Sequence, residues 1–378
     1  MDVTESLVML GGQSPEQFMR RHWQKKPLLV RQAFPGLLPP VPRTELFALA
    51  AGDAVESRLV ARSGDAWRLR QGPFARRALP PLSRSGWTLL VQGLDLHVPA
   101  AHDLLRRFRF VPDARLDDLM VSYASDGGGV GPHLDAYDVF LIQVQGRRRW
   151  RIGRVPDDRL VAGLPLKILA HFQPEQEWVL EPGDMLYLPP RWGHDGVAIG
   201  GDCVTCSVGF RAASVAEVAG ELLARMADLD EEELGARAAR RYRDPAQAAT
   251  SAPGLVPAAL QDFARVAMQA VLEHPGRLEA LLGEWLTEPK PQVWFAPTGG
   301  LAAGDAVQLD ARTRMMYDAR HVFINGESFR AAGRDARLMR QLSDQRQLPA
   351  ALVAALGPQA RELVGEWVAA GWLQVHPC

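Results

Sequence analysis

Gly131 to Phe140, GPHLDAYDVF, carries two metal-competent side chains two residues apart, His133 and Asp135. Side chains alternate faces along a strand, so these two project one way and Leu134 the other. A third donor, His194, stands in EPGDMLYLPPRWGHDG, residues 181–196. The segment before it is expected to enter through the turn Pro182, Gly183, Asp184, run as a strand over Met185 to Leu188, and stop at Pro189 and Pro190 just ahead of the histidine. Each half alone is weak in a chain with nine histidines. Together, in order and each beside a Gly/Pro turn, they form a ligand pattern. Two imidazoles and one carboxylate hold Fe(II) on one face and leave positions open for a co-substrate and dioxygen, so the leading reading is a metal-dependent oxygenase.

The co-substrate follows from Arg147 to Ile152, RRRWRI. Alternation puts Arg148 on the apolar, inward face with Trp150 and Ile152, whereas Arg147, Arg149 and Arg151 read as a solvated face. An inward guanidinium needs an anion, because an unpaired buried charge is costly. A diacid that chelates iron at one end and meets the fork of Arg148 at the other satisfies both demands. 2-Oxoglutarate fits that description. GGGVG, residues 127–131, is not a phosphate loop, since no Lys-Ser or Lys-Thr follows; its glycines let the backbone turn close to the site mouth.

At 378 residues and 47% hydrophobic the chain can fill more than one core. No apolar run approaches ~20 residues and no charged-then-apolar leader is present, so a cytoplasmic protein is expected. The net charge of −1 argues against a broad nucleic-acid surface and for a basic protein partner. Cys203 and Cys206, three apart, fall on opposite faces of a strand and read as packing residues.

Ser14, Pro15, Glu16 and Gln17 read as a capped helix start, leading through Pro27 into extended Leu28 to Arg31. Short strands follow up to Phe210, the clearest at Trp87 to Val91, Met120 to Ala124, Val139 to Val144 and Val204 to Val208, which suggests an all-β barrel or sandwich. From Ser214 the periodicity turns helical, with Val215, Val218, Leu222, Leu223 and Met226 on one stripe, and Leu255 to Leu286 continues it. Beyond Gln292, Met315 to Phe323 followed by Asn325-Gly326 reads as a hairpin signal. Helices at Arg334 to Leu342 and Gln359 to Ala370 and a strand at Trp372 to Val375 make this last part compatible with a winged helix. It offers no basic recognition helix, so direct DNA binding is not expected.

The segments MVSYASDGGGVGPHLDAYDVFLIQVQGRRRWRIG (120–153), EPGDMLYLPPRWGHDGVAI (181–199) and CSVGFRA (206–212) resemble the JmjC-type bacterial ribosomal oxygenases, as does FMRRHWQKKPLLVRQAF (18–34). The resemblance implies a cupin/JmjC double-stranded β-helix over 1–212 with an N-terminal extension, a helical dimerisation region over 213–290, and a winged-helix-like domain over 291–378. It further implies Fe(II) on His133, Asp135 and His194, 2-oxoglutarate anchored by Arg148, a homodimer, and hydroxylation of an arginine β-carbon on large-subunit ribosomal protein sixteen with release of succinate. Where the family has a serine touching 2-oxoglutarate this chain has Ala124; Ser122 or Ser125 could substitute, or the contact is absent.

For the substrate side chain, Asp118 and Met120 share one face of their strand, Tyr137 continues the face of His133 and Asp135, and Thr205 and Ser207 share another. A carboxylate, a ring, a thioether and a hydroxyl would suit a guanidinium. Ordinary core packing is the competing reading for Met120 and Tyr137, and the family's arginine slot favours a pocket of Asp118, Met120, Tyr137 and Ser207. Two rival functions are weighed against this one. A cupin-type small-molecule dioxygenase would not need Arg148, and a non-catalytic ribosome-assembly module would not need an intact ligand set.

Overall fold

A computed structural model describes residues 2–229, 241–243, 256–272 and 277–376. The chain separates into two units, Met1–Ala212 and Ala213–Cys378. In the first, helices α1 (Pro15–Arg21), α2 (Arg43–Leu49) and α3 (Pro99–Arg106) accompany nine strands: β1 (Leu28–Val30), β2 (Ser57–Ser63), β3 (Ala66–Gln71), β4 (Trp87–Val91), β5 (Leu116–Ala124), β6 (Val139–Arg154), β7 (Gln176–Leu180), β8 (Met185–Leu188) and β9 (Trp192–Phe210). Helix α1 starts as its sequence dictates. The Ser14 hydroxyl accepts from the Gln17 N–H, the Gln17 side chain accepts from the Ser14 N–H, and Pro15 fills the first turn.

The strands form one antiparallel sheet in the order β1-β8-β6-β9-β5-β4-β2-β3, with β7 added to β6. Strands β6 and β9, 16 and 19 residues long, pair with each other through register slips between Gln143 and Gln145 and between Gln145 and Arg147. Such bulges bend a strand. The first half of β6 therefore pairs with β8 and its second half with β7, and the sheet winds into the double-stranded β-helix. One face buries Leu119, Val121, Tyr123, Phe140, Ile142 and Cys206 in the main core. The other buries Val139, Leu141, Trp150, Ile152 and Leu186, with Ala124, Ala198 and Cys203 in a small cluster of their own. Cys203 and Cys206 thus lie in different clusters, both as free thiols.

Beside the metal-bearing segment sits a buried polar knot. Tyr187 donates to the Asp138 carboxylate at 2.6 Å and accepts the Gln24 backbone N–H at 2.8 Å, while the Gln24 amide reaches Asp138 at 3.1 Å and Arg115 approaches it at 3.5 Å. Burial raises the Asp138 pKa against the pull of these donors. Tyr187→Phe would leave a carboxylate oxygen and an N–H without their partner, at about 2 kcal/mol. A drop of roughly 4–8 °C in the unfolding midpoint is expected by calorimetry, and an unchanged midpoint would show the knot to be dispensable.

The second unit contains α4 (Val215–Ala227), α5 (Ala258–Leu272), α6 (Arg277–Thr287), β10 (Ala306–Leu309), β11 (Met315–Tyr317), β12 (His321–Ile324), β13 (Glu327–Arg330), α7 (Gly333–Gln345), β14 (Gln347–Leu348), α8 (Ala350–Ala354), α9 (Pro358–Ala369) and β15 (Leu373–His376). Ser214 and Glu217 form a capping box at α4. Of the expected stripe, Leu222 and Met226 are buried against Leu281, whereas Val215 remains 87% exposed. The helical run anticipated from Leu255 to Leu286 is two helices, with Leu255 itself outside the described residues.

The stretch 315–323 is not a single strand. A turn at Asp318 to Arg320 splits it into β11 and β12, because Asp318 accepts the N–H groups of Arg320 and His321 and closes the chain on itself. The Asn325-Gly326 turn into β13 is present, with both residues at positive φ (48° and 92°) as a two-residue hairpin turn requires. Strands β14, β10 and β15 form a small sheet over a core of Val307, Leu342, Leu348, Trp367 and Leu373, the helices and short sheet of a winged helix. Gly283 of α6 faces Phe323, where a Cβ would come within 2.4 Å of the ring, so α6 packs closely on β12.

Candidate metal centre and co-substrate pocket

The sequence places His133 and Asp135 on a strand; the structure corrects this. His133 forms a single antiparallel bridge with His194, and the regular ladder begins at Val139. In place of a strand partner, the Asp135 carbonyl accepts the N–H of Arg191, which is held at φ 66° after Pro189-Pro190. His194 follows the end of one strand, as expected, and also belongs to the next. Strand β8 stops at the prolines as anticipated, and His194 lies near the start of β9.

The bridge makes the site. His133 N–H donates to the His194 carbonyl at 3.0 Å and His194 N–H to the His133 carbonyl at 2.9 Å, so main-chain bonds hold two ligands side by side, ring centroids 4.1 Å apart. Each ring is oriented from behind, Nδ1 of His133 against the Gly131 carbonyl at 2.9 Å and Nδ1 of His194 against the Trp192 carbonyl at 3.1 Å. A carbonyl only accepts, so both Nδ1 atoms carry the proton and both Nε2 atoms offer a lone pair. Those lone pairs face Asp135 Oδ2, at 4.0 Å from His133 and 3.5 Å from His194. All three ligand atoms lie within 4.8 Å of one another. Burial, with His133 adding to it, pushes the His194 pKa down to about 4, keeping the imidazole neutral as a metal ligand must be. A one-sided His/Asp/His set of this tautomer fits Fe(II).

Arg148 lies on the same inner face, since 148, 150 and 152 on β6 pair with 198, 196 and 194 on β9. It is 4% exposed, and its Nε and Nη2 atoms are buried without a hydrogen-bond partner. Its guanidinium packs on Trp150 at 5.7 Å, and Trp150 lies 5.9 Å from the His194 ring. Four residues of strand separate the backbones of His194 and Arg148, about 13 Å at ~3.3 Å per residue. An extended five-carbon diacid together with the arginine side chain covers that span. Arg147 is exposed, Arg149 half-buried, and Arg151 pairs with Asp195 at 2.5 Å, as alternation predicts.

Ala124 packs on Ala198, the cross-strand partner of Arg148, so the methyl group does stand near the anion site. Ser125 cannot replace a serine there, because its hydroxyl donates to the Trp87 carbonyl and accepts the Trp87 N–H. Ser122, two residues back on the same face, makes only a long 3.4 Å contact to the Thr205 carbonyl. Gly129 passes so close to β9 that a Cβ would meet the Gly196 carbonyl at 2.5 Å, which explains the glycine run before His133.

Among the substrate-slot residues, Met120 and Ser207 are direct cross-strand partners. Asp118 is buried and accepts the Gly93 N–H at 2.9 Å. Tyr137 stands at the rim, 41% exposed as a whole. Desolvation of its hydroxyl, the nearby charges of Asp135 and Asp118, and a hydrogen bond to Asp135 hold its pKa well above the ordinary value. Tyr137 therefore lies next to the metal-competent Asp135 and within reach of the charge of Asp118. Sequence reasoning placed Trp150 beside Arg148 but missed Arg191 as part of the site; the run Pro-Pro-Arg-Trp-Gly before His194 was the available signal.

A JmjC-domain family model matches residues 103–218 and a ROXA-like winged-helix model residues 270–374. The chain is 35% identical over 332 residues to the ribosomal protein uL16 3-hydroxylase of Escherichia coli K12, covering 84% of this chain and 86% of that one. It is 39% identical over 203 residues, about half of each chain, to a probable ribosomal oxygenase of Haemophilus influenzae. Among solved structures, that of the E. coli ribosomal oxygenase YcfD in complex with cobalt and 2-oxoglutarate superposes with a TM-score of 0.81 at 30% identity, covering 96% of this chain and 98% of that one.

Proposed function

Because the chain belongs to the JmjC-type ribosomal oxygenases, we propose that it is an Fe(II)- and 2-oxoglutarate-dependent hydroxylase of ribosomal protein uL16, acting on the β-carbon of an arginine. The observation that carries this reading is Arg148, a buried guanidinium with unpaired donors on the same face as the His/Asp/His set. Burial of that kind is tolerable only if an anion arrives. The 3-hydroxylation for which the E. coli relative is named corresponds to the β-carbon.

Bound at His133, Asp135 and His194, Fe(II) supplies, with 2-oxoglutarate and dioxygen, the oxidation that converts a C–H to C–OH and yields succinate and carbon dioxide. The protein's own part is placement. Arg148 fixes the far carboxylate of 2-oxoglutarate, with Ser122 as the nearby hydroxyl, and Trp150 walls the space between that carboxylate and His194. Asp118 pairs with the substrate guanidinium, Tyr137 covers it from the rim, and Met120 and Ser207 line the side toward β9. Proximity of this kind accounts for a large part of the barrier reduction in an oriented reaction. The exposed apolar side chains of α4 and α5, Val215, Leu223, Val266 and Met268 among them, support a homodimer joined through helices. Location in the cytoplasm goes with a ribosomal substrate; among the described residues no helix is long and apolar enough to cross a membrane.

The test is incubation with Fe(II), 2-oxoglutarate and isolated uL16, followed by mass spectrometry for the gain of one oxygen and by a succinate assay. Succinate without a modified protein would instead favour a small-molecule substrate. A narrower prediction concerns Asp118. Asp118→Asn keeps an acceptor for Gly93 but removes the charge, so the KM for an arginine peptide should rise about tenfold, the 1.5 kcal/mol or so of a charge-assisted bond. Binding of 2-oxoglutarate should not change. Peptide hydroxylation measured beside 2-oxoglutarate affinity decides it, and equal losses in both would make Asp118 a support of the barrel.

A further inference from the structure

Residues 311–340 hold seven arginines against three acidic residues, in a chain whose net charge is −1. These arginines do not belong to α9, the helix before the last strand, which carries Arg361 beside Glu362 and Glu366. Four of them line a cleft of about 830 Å³ between the end of β13, the turn before β12 and the start of α7. Its lining includes Arg320, Arg330, Arg337 and Arg340 together with Gly333, the first residue of α7.

Three features give the cleft its chemistry. Arg320, Arg330 and Arg337 are exposed, and no ion pair joins any of them to a carboxylate among the described residues. The acid of the turn before β12 is already engaged: Asp318 accepts both backbone N–H groups of its own turn and the Nδ1 of the buried His321 at 3.0 Å. Arg340 is tied back to the Ala319 carbonyl at 3.0 Å and stacks on Tyr317, so it forms a wall and not a mobile arm. Finally, Ala332, which precedes α7, offers no side-chain cap, and the one acid of the first turn, Asp335, is turned to the Gly357 N–H. The first-turn N–H groups of a thirteen-residue helix therefore open toward three unneutralised guanidiniums.

We propose that this cleft binds the phosphodiester backbone of RNA and holds the enzyme on ribosomal RNA while a ribosomal protein is modified. Forked guanidiniums and helix amides both match the tetrahedral oxyanion of a phosphate. Three separate arginines along an open cleft suit successive phosphates of one strand more than a single anion. The identity of the polymer rests on the reading that the substrate is a ribosomal protein; the anion chemistry does not. The low net charge still excludes a broad nucleic-acid surface, and this contact is local.

The experiment uses the full chain and a labelled single-stranded RNA of about twenty nucleotides, with binding followed by fluorescence anisotropy across a salt series. Replacing Arg320, Arg330 and Arg337 together by Gln should weaken binding about tenfold or more and reduce the slope of log affinity against log salt by about 2, three contacts at ~0.7 each. The matched triple Arg68→Gln, Arg77→Gln, Arg84→Gln removes the same charge from exposed positions of the first unit and should change neither quantity. Hydroxylation of an isolated peptide, measured in parallel, should be the same in the cleft variant as in the parent. Equal weakening by both triples, or no RNA binding by the parent, overturns the proposal. So does preferential binding of polyglutamate or of inorganic phosphate alone. A parent that hydroxylates the peptide but ignores RNA refutes this inference only, whereas a parent that binds RNA but hydroxylates nothing refutes the preceding one.

Discussion

Alanine in place of His133, Asp135 or His194 is expected to abolish succinate formation while leaving the fold in place. Loss of a group that merely supports a ligand costs 10- to 100-fold, so loss of a ligand should exceed about 100-fold. The structure says why the fold should survive. The bridge between the two histidine segments is made by main-chain N–H and carbonyl groups, which alanine keeps, and Asp135 is pinned through its carbonyl by the Arg191 N–H. What disappears is one corner of a set whose ligand atoms lie within 4.8 Å. Iron content after anaerobic loading should fall from stoichiometric to near zero, with far-ultraviolet circular dichroism unchanged. Near-normal succinate production by any one of the three would remove the metal assignment.

Arg148→Ala should raise the KM for 2-oxoglutarate by about 10- to 100-fold. A hydrogen bond to a charged group contributes about 1.5–3 kcal/mol, and 1.4 kcal/mol is a factor of ten. The change removes the guanidinium whose donors are buried without partners, so the incoming carboxylate would be desolvated and unpaired. Arg148→Lys should fall between, since it keeps a charge but loses the fork. Exposed Arg147 and half-buried Arg149 should shift KM by less than about twofold when changed to alanine, the usual scale of a surface substitution. If Arg147→Ala and Arg148→Ala behave alike in a 2-oxoglutarate titration, the inward register of β6 is wrong.

The ligand set was legible from residue types and their order, and the Arg148 assignment from alternation over six residues of sequence. The cap at Ser14, the Asn325-Gly326 turn, the strand at Trp87 to Val91 and the separation of Cys203 from Cys206 were also legible, because each depends on neighbours within a few residues. The break inside 315–323 was not. It depends on a side chain, Asp318, accepting the N–H groups of Arg320 and His321 and so closing its own turn.

The amino-acid sequence by itself determined the ligand types, the inward arginine and the order of a β core followed by helices and a small sheet, since all of these are properties of local periodicity and residue chemistry. Only the tertiary structure decided that His133 and His194 meet as a bridged pair, that Ser125 is consumed by Trp87 while Ser122 remains, and that Tyr137 lies within reach of the charge of Asp118. It also decided that Arg320, Arg330, Arg337 and Arg340 line one cleft. The physical reason is register. Which residue faces which across two strands is set by bulges and by close backbone contacts such as Gly129 on Gly196, and one residue of slip reverses every face.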